Sequence, residues 1–143
     1  MFNKEFTYKL QSCTGGAVFD EDMKKHTTFK IGGNADCLVN VSSVGEITAV
    51  VSLCREYGVP FMVMGNGSNL LVDDGGIRGV VIKTENMNSC QIQGEYIYAD
   101  CGVLLSRLAT TAMANSLSGL EFAGGIPGSV GGGVYMNAGA YGG

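Results

Sequence analysis

Two segments of the chain are rich in glycine and in short hydrogen-bonding side chains, and both could bind an anion. The first is "VMGNGSNLLVDDGG" at 63–76, in which an apolar stretch breaks into Gly65-Asn66-Gly67-Ser68-Asn69. Glycine opens backbone angles that are closed to other residues and leaves main-chain N–H groups uncovered. Successive N–H groups in such a turn form a concave anion site, so this composition suits a phosphate or a diphosphate. The same composition is equally typical of an ordinary irregular turn.

The loop differs from the common nucleotide-binding loops. A P-loop would require Lys followed by Ser or Thr after its second glycine, and neither is present. The dinucleotide fingerprint would require glycine where Leu70 stands, with a helix directly afterwards. Here the pattern predicts a strand at 70–72, so phosphate binding would need a different architecture.

The second segment, "GLEFAGGIPGSVGGGVYMNAGAYGG" at 119–143, holds ten of the 23 glycines of the chain. Pro127-Gly128-Ser129 predicts the start of a helix with Ser129 as its N-cap. We expect the free N–H groups and the positive dipole of that helix end to attract an anion. The glycines at 131–133 would let the helix lie close to a flat ligand or to another backbone.

Apolar residues stand between these glycines, which indicates that the segment is covered by other parts of the protein. Tyr135 and Tyr141 belong to this set, and we expect both to pack in the core rather than against a ring of a ligand. Taken one at a time, the glycines are more typical of tight turns and close strand packing. Ten of them within 25 residues, together with a separate glycine loop, favour contact with a ligand.

Hydrophobic periodicity predicts an α+β chain. The clearest helix is 43–57, where Ser43 and Glu46 fit a capping box and Gly58 follows as a natural stop. The other predicted helices are 4–11 and 103–115, and the predicted strands are 17–19, 35–39, 61–64, 70–72, 79–82, 91–93 and 96–99.

The composition narrows the classes of function. A chain of 143 residues with 45% hydrophobic residues can bury a core, and a net charge of −4 argues against nucleic acid as a partner. No apolar run reaches the length of a membrane span. The five cysteines include no C-x-x-C pair, so we expect reduced thiols in a cytoplasmic protein, with Cys37 and Cys54 in the core. His26 is the sole histidine; we expect it on the surface or in a turn, and we expect no metal site.

Three stretches carry a family resemblance: "HTTFKIGGNAD", "VMGNGSNLLVDDGGIRGVVI" and the glycine-rich segment 119–143. In order and spacing, from His26 to Gly143, they closely resemble the UDP-N-acetylenolpyruvylglucosamine reductase family of bacterial peptidoglycan precursor synthesis. The resemblance implies an α+β FAD-binding fold of the vanillyl-alcohol-oxidase or p-cresol-methylhydroxylase type. In that fold FAD lies between two small α+β subdomains, which would correspond here to 1–84 and an incomplete 85–143.

The resemblance also implies roles for residues of both glycine segments. In the family the first loop holds the diphosphate of FAD with main-chain N–H groups, and the later segment lines the flavin and the diphosphate. FAD would be bound noncovalently. Members of this fold group that bind flavin covalently often attach it to a histidine just after the loop, and residues 70–76 contain no histidine. The cofactor-binding residues implied in this chain are Met64, Gly65, Asn66, Gly67, Ser68, Asn69, Leu70, Gly124, Gly125, Ile126, Pro127, Gly128, Ser129, Gly132, Asn137, Ala138 and Gly139.

By the same resemblance, NADPH is the hydride donor and UDP-N-acetylglucosamine enolpyruvate is the substrate, which is reduced to UDP-N-acetylmuramate. The arginine, serine and glutamate that act in the family's catalysis follow its "NAGAYGG" motif. We therefore expect this chain to be an N-terminal fragment without catalytic residues or a substrate domain. Exposed strand edges in such a fragment would favour self-association. A non-catalytic domain without cofactor and another flavin oxidoreductase of the same fold remain alternatives.

Overall fold

The computed structural model describes residues 2–142, and its elements follow most of the predicted ones. Differences at the element ends are of a few residues, where local signals are weakest. The helices are α1 (Lys4–Cys13), α2 (Val44–Glu56), α3 (Leu105–Ala114) and α4 (Val130–Tyr135), and the strands are β1 (Ala17–Asp22), β2 (Asn34–Asn40), β3 (Phe61–Met64), β4 (Ile77–Lys83), β5 (Cys90–Gln93) and β6 (Tyr96–Ala99). Short 3-10 helices lie at Met23–Lys25 and Glu121–Gly125.

A four-stranded mixed sheet in the order β1-β2-β4-β3 organises the first part of the chain. Strand β1 is antiparallel to β2, whereas β2, β4 and β3 run parallel to one another. The carboxyl ends of the parallel strands therefore lie together at one end of the sheet. The first glycine loop begins there, directly after Met64.

Each face of this sheet covers one apolar core. On one face, α1 and α2 pack Phe6, Leu10 and Val50 against Cys37 and Ile82, all of them essentially inaccessible to solvent. A second cluster on the opposite face includes Met23, Leu38, Met64, Val72 and Val81. The segment before β2 and the loop after β3 cover this second face, so the glycine loop is anchored to a packed core.

Helix α2 follows its sequence signals, with one change in the capping box. The Ser43 hydroxyl accepts a hydrogen bond from the Glu46 N–H at 3.2 Å, as predicted. The Glu46 carboxylate returns to the Ser42 N–H at 2.8 Å instead of to Ser43. Gly58 ends the helix with a φ of +63°, the left-handed conformation that glycine adopts most easily.

The strand predicted at 70–72 is wrong. These residues have no strand conformation, although Val72 is buried in the second core cluster. Its neighbourhood is fixed by close loop packing: a Cβ at Gly32 would lie 2.6 Å from the Val72 Cβ, and the Gly33 N–H donates to the Asp73 carbonyl at 2.9 Å. Val72 is thus buried under a loop rather than paired in a sheet, whereas its neighbour Leu71 is exposed.

The second part of the chain is smaller and forms its own two-stranded sheet. The predicted hairpin of β5 and β6 is confirmed, and α3 and α4 follow it. All five cysteines have free thiols, and Cys37 and Cys54 lie in the first core as expected. Over residues 2–142, no helix combines the length and the apolar character needed to cross a membrane.

Candidate functional site: a glycine-lined cleft

Both glycine segments converge on one cleft of about 820 Å³. Its floor includes β3, and the glycine loop that follows β3 forms one wall. The opposite wall comes from the later glycine segment and the start of α4. The predicted residues that line the cleft are Met64, Gly65, Asn66, Gly67, Ser68, Asn69, Leu70, Ile126, Pro127, Gly128, Ser129, Gly132 and Ala138.

The remaining predicted residues lie outside this lining. Gly124 and Gly125 belong to the 3-10 helix that packs against α3, and Asn137 and Gly139 follow α4 on exposed backbone. The tertiary fold therefore joins the first loop with only the central portion of the later segment.

Direct contacts join the two walls. The Ser68 hydroxyl donates to the Pro127 carbonyl at 3.2 Å. A Cβ at Gly128 would lie 2.9 Å from the Ser68 Oγ, and one at Gly65 would overlap the Ser129 Oγ. Side chains at these positions would fill the space where the walls meet, so glycine keeps a narrow cradle open between two backbones.

The first loop offers a row of unused main-chain donors. No carbonyl within residues 2–142 accepts a hydrogen bond from the N–H groups of 65–69. No acidic or basic side chain lines the described part of the cleft. Attraction for an anion therefore comes from backbone dipoles and short polar side chains rather than from paired charges.

The expectation of free N–H groups at the start of α4 is wrong. The N–H of Val130 donates to the Val103 carbonyl at 2.7 Å, and that of Gly131 donates to the Cys101 carbonyl at 2.8 Å. The Gly132 N–H reaches the hydroxyl of Ser129, which caps the helix as predicted. Neighbouring backbone thus uses the donors that the sequence pattern left free.

The glycines of α4 serve this close approach. A Cβ at Gly131 would lie 2.8 Å from the Cys101 Cβ, and one at Gly133 would lie 2.9 Å from the Leu105 Cδ1. Close packing against another backbone, one of the two expected uses, accounts for Gly131, whereas Gly133 lies against the Leu105 side chain. All three glycines line the cleft, and Gly132 differs in that its added Cβ would meet only the Ser129 Oγ, at 3.3 Å.

The two tyrosines predicted to lie in the core are exposed. Tyr135 has 89% of its surface accessible to solvent and Tyr141 has 98%. Tyr135 also lines the cleft, together with the half-exposed Met136. The sequence pattern indicated that this segment is covered, and nothing among residues 2–142 covers these rings.

Gly67 has a structural requirement as well as a place in the cleft. Its φ is +68°, and a Cβ there would overlap the His26 carbonyl oxygen. We therefore expect Gly67→Val to destabilise the fold strongly. This substitution therefore does not separate ligand binding from folding.

Sequence reasoning missed several residues of the cleft. Phe61, Met62 and Val63 come from β3, Thr84 from the end of the neighbouring strand, and Cys101 from the turn beneath α4. The first three could have been found, because they precede the loop in a strand. Thr84 and Cys101 carry no sequence signal, since only the pairing of β3 with β4 and the docking of α4 bring them to the cleft.

The residues present fit a diphosphate-containing cofactor, because bare amides and side-chain-free positions form one cradle. The fold and this cleft define a flavin-binding domain: the chain belongs to the FAD binding domain family, whose sequence model matches residues 35–143. The vanillyl-alcohol-oxidase type of fold is confirmed by the solved structure of p-cresol methylhydroxylase, at 17% identity and a TM-score of 0.59 over 79% of this chain and 25% of that one.

The more similar relatives are UDP-N-acetylenolpyruvoylglucosamine reductases, which confirms the family resemblance. The protein of Clostridium kluyveri is 54% identical over 122 residues, which cover 85% of this chain and 40% of the relative. That of Clostridium botulinum strain Hall is 46% identical over 140 residues, which cover 96% and 46%. The solved reductase of Thermus caldophilus is 37% identical with a TM-score of 0.71, over 90% of this chain and 44% of that one. The chain thus spans less than half the length of these relatives.

Proposed function

We propose that this chain binds FAD in the glycine-lined cleft and holds its diphosphate on the main-chain N–H groups of 65–69. The single observation that carries the proposal is the row of unused donors at the carboxyl ends of parallel strands. Ser68 and Ser129 add hydroxyl groups at the same place. The other wall would be supplied by Ile126, Pro127, Gly128, Gly132 and Ala138, with Met64 and Leu70 at the ends of the loop. For Gly124, Gly125, Asn137 and Gly139 the proposal rests on the family resemblance alone.

We propose that the complete protein is the NADPH-dependent reductase that converts UDP-N-acetylglucosamine enolpyruvate to UDP-N-acetylmuramate. The names of its relatives support this reaction, and a nucleotide-sugar substrate favours a cytoplasmic location. FAD supplies the hydride-transfer chemistry when it is bound. The residues of this chain would bind and orient it, and we assign none of them a catalytic role. The units 1–84 and 85–143 would be two subdomains that flank the cofactor, which accords with their separate sheets.

Titration with FAD tests the proposal. Flavin fluorescence should be quenched as the protein is added, with a 1:1 endpoint. Acid precipitation should then release all of the flavin, because binding is proposed to be noncovalent and both ring nitrogens of His26 are engaged with protein side chains. Absence of quenching at micromolar protein would refute FAD binding by this chain. Flavin that stays with the precipitate would refute the noncovalent mode.

A second proposal, self-association, is favoured by exposed apolar side chains in and next to the cleft. Strand β3 is an edge of its sheet, and its Val63 is largely exposed. Val134 is 78% exposed and lies next to the exposed Tyr135. An unpaired strand edge and exposed apolar side chains each favour association with another copy. Sedimentation velocity at several protein concentrations would detect the dimer, and a monomer at all of them would refute it.

A further inference from the structure

A chain of four titratable side chains lies behind the glycine loop, outside the cleft lining. The His26 Nε2 is 2.9 Å from the Glu21 Oε1, and the His26 Nδ1 is 3.3 Å from the Lys83 Nζ. Lys83 also pairs with the Glu85 Oε2 at 2.7 Å. The His26 side chain is 16% exposed and that of Lys83 is 9% exposed, so water does little to screen these contacts. Lys25 also contacts this network, with its Nζ 3.4 Å from the Glu21 Oε1.

Both ring nitrogens of His26 are engaged, Nε2 with the Glu21 carboxylate and Nδ1 with the Lys83 amine. The side-chain hydrogen bond from His26 is the first cause of the lowered pKa of Glu21, and contacts with Lys25 also lower it, whereas burial opposes the shift. The imidazole ring is therefore held on both sides by polar partners that are themselves largely shielded from water.

The same residues contact the glycine loop through the backbone. The His26 carbonyl lies against Gly67 so closely that no Cβ fits there. Two residues after His26, the Thr28 N–H donates a hydrogen bond to the carbonyl of the same Gly67 at 3.1 Å. At the other end, Lys83 is the register partner of Met64, the residue that leads into the loop. The hydrogen bond between His26 and Lys83 therefore ties the middle of the loop to its entry strand.

We propose that His26 is a positioning residue for the glycine loop, and that its contacts with Glu21 and Lys83 hold the loop in the conformation that binds the FAD diphosphate. Loss of the contact between His26 and Lys83 would loosen the loop and weaken FAD binding. The inference rests on the proposed FAD function.

The test compares His26→Gln and His26→Leu with the unmodified chain in FAD titrations at one pH. The side-chain amide of glutamine can accept a hydrogen bond from Lys83 and donate one to Glu21, whereas leucine can do neither. We expect the Kd of His26→Leu to rise about tenfold, a typical coupling magnitude, and the Kd of His26→Gln to stay near that of the unmodified chain. Full affinity in His26→Leu, or an equal loss of affinity in His26→Gln, would overturn the proposal.

Amide hydrogen exchange without FAD separates this inference from the proposed function. The exchange of peptides from 61–72 is compared among the unmodified chain, His26→Gln and His26→Leu at the same pH. The loop of His26→Leu should exchange roughly tenfold faster than the loop of the other two, which should agree. Identical exchange in all three would overturn the role of His26 even if FAD binds. Faster exchange in His26→Leu, in a chain that never binds FAD, would support the positioning role and refute only the cofactor.

Discussion

Gly132→Ala should weaken FAD binding without weakening the fold. In a helix, alanine is favoured over glycine by about 1 kcal/mol, and Gly132 lies inside α4. The new Cβ would lie 3.3 Å from the Ser129 Oγ, a tight contact that offsets part of this gain. We therefore expect the free energy of unfolding without FAD to change by less than about 1 kcal/mol.

The effect on binding follows from the position of Gly132 in the cleft lining. A methyl group inserted where a ligand packs against backbone costs about 1–3 kcal/mol, by analogy with overpacking of a protein interior. The Kd for FAD should rise roughly tenfold to a hundredfold, since about 1.4 kcal/mol corresponds to a factor of ten. Flavin fluorescence titration measures the Kd, and urea denaturation measures the stability.

Gly45→Ala is the matched control. Gly45 is also a helical glycine, in the first turn of α2, and its added Cβ would have only the Ser43 Oγ nearby, at 3.8 Å. This variant should be as stable as the unmodified chain or more so, and its Kd should not change. Unaltered FAD affinity in Gly132→Ala would refute the assignment of the α4 wall to the cofactor. Loss of stability in step with loss of affinity would show that the glycine is needed only for packing.

Three further outcomes are expected. FAD should protect Cys101, which lines the cleft, from alkylation and leave Cys90 reactive; mass spectrometry of labelled peptides reads both, and equal labelling of Cys101 with and without FAD would contradict the site. Leu10→Ala should lower the free energy of unfolding, measured by urea denaturation, by about 2–5 kcal/mol, because Leu10 is fully buried. A loss below about 1 kcal/mol would contradict the core described. Burial raises the pKa of the Cys37 thiol to about 12 from its usual value of about 9. The contribution of this thiol to the free energy of unfolding is therefore complete below about pH 9 and is lost as the pH rises from there. Cys37→Ala should flatten the alkaline fall of stability, and an unchanged slope would argue against the burial.

Local signals predicted most of the secondary structure. Ser43 and Gly58 bracket α2 because side-chain capping and left-handed backbone are properties of single residues and their neighbours. The failure at 70–72 has the opposite cause. An apolar run indicates burial but does not say whether a strand partner or a loop provides it, and there the segment around Gly32 does.

The candidate site divides in the same way. Sequence alone located both glycine segments and the N-cap of α4, because the absence of side chains and the presence of a capping hydroxyl are written in the residues. It gave the wrong state for the α4 N–H groups, since the carbonyls of Cys101 and Val103 reach them only after α4 docks. It likewise placed Tyr135 in the core, when no described part of the chain covers that ring.

The sequence by itself thus determined that uncovered backbone would be available in two distant stretches, and the family likeness indicated FAD as the ligand. The tertiary structure decided which of those backbone groups remain free, because hydrogen-bond donors are distributed among partners only when strands and helices pack. It also decided that His26, from a third stretch, lies between Glu21 and Lys83 behind the loop. Contacts between residues 57 positions apart depend on strand order and register, which no local pattern specifies.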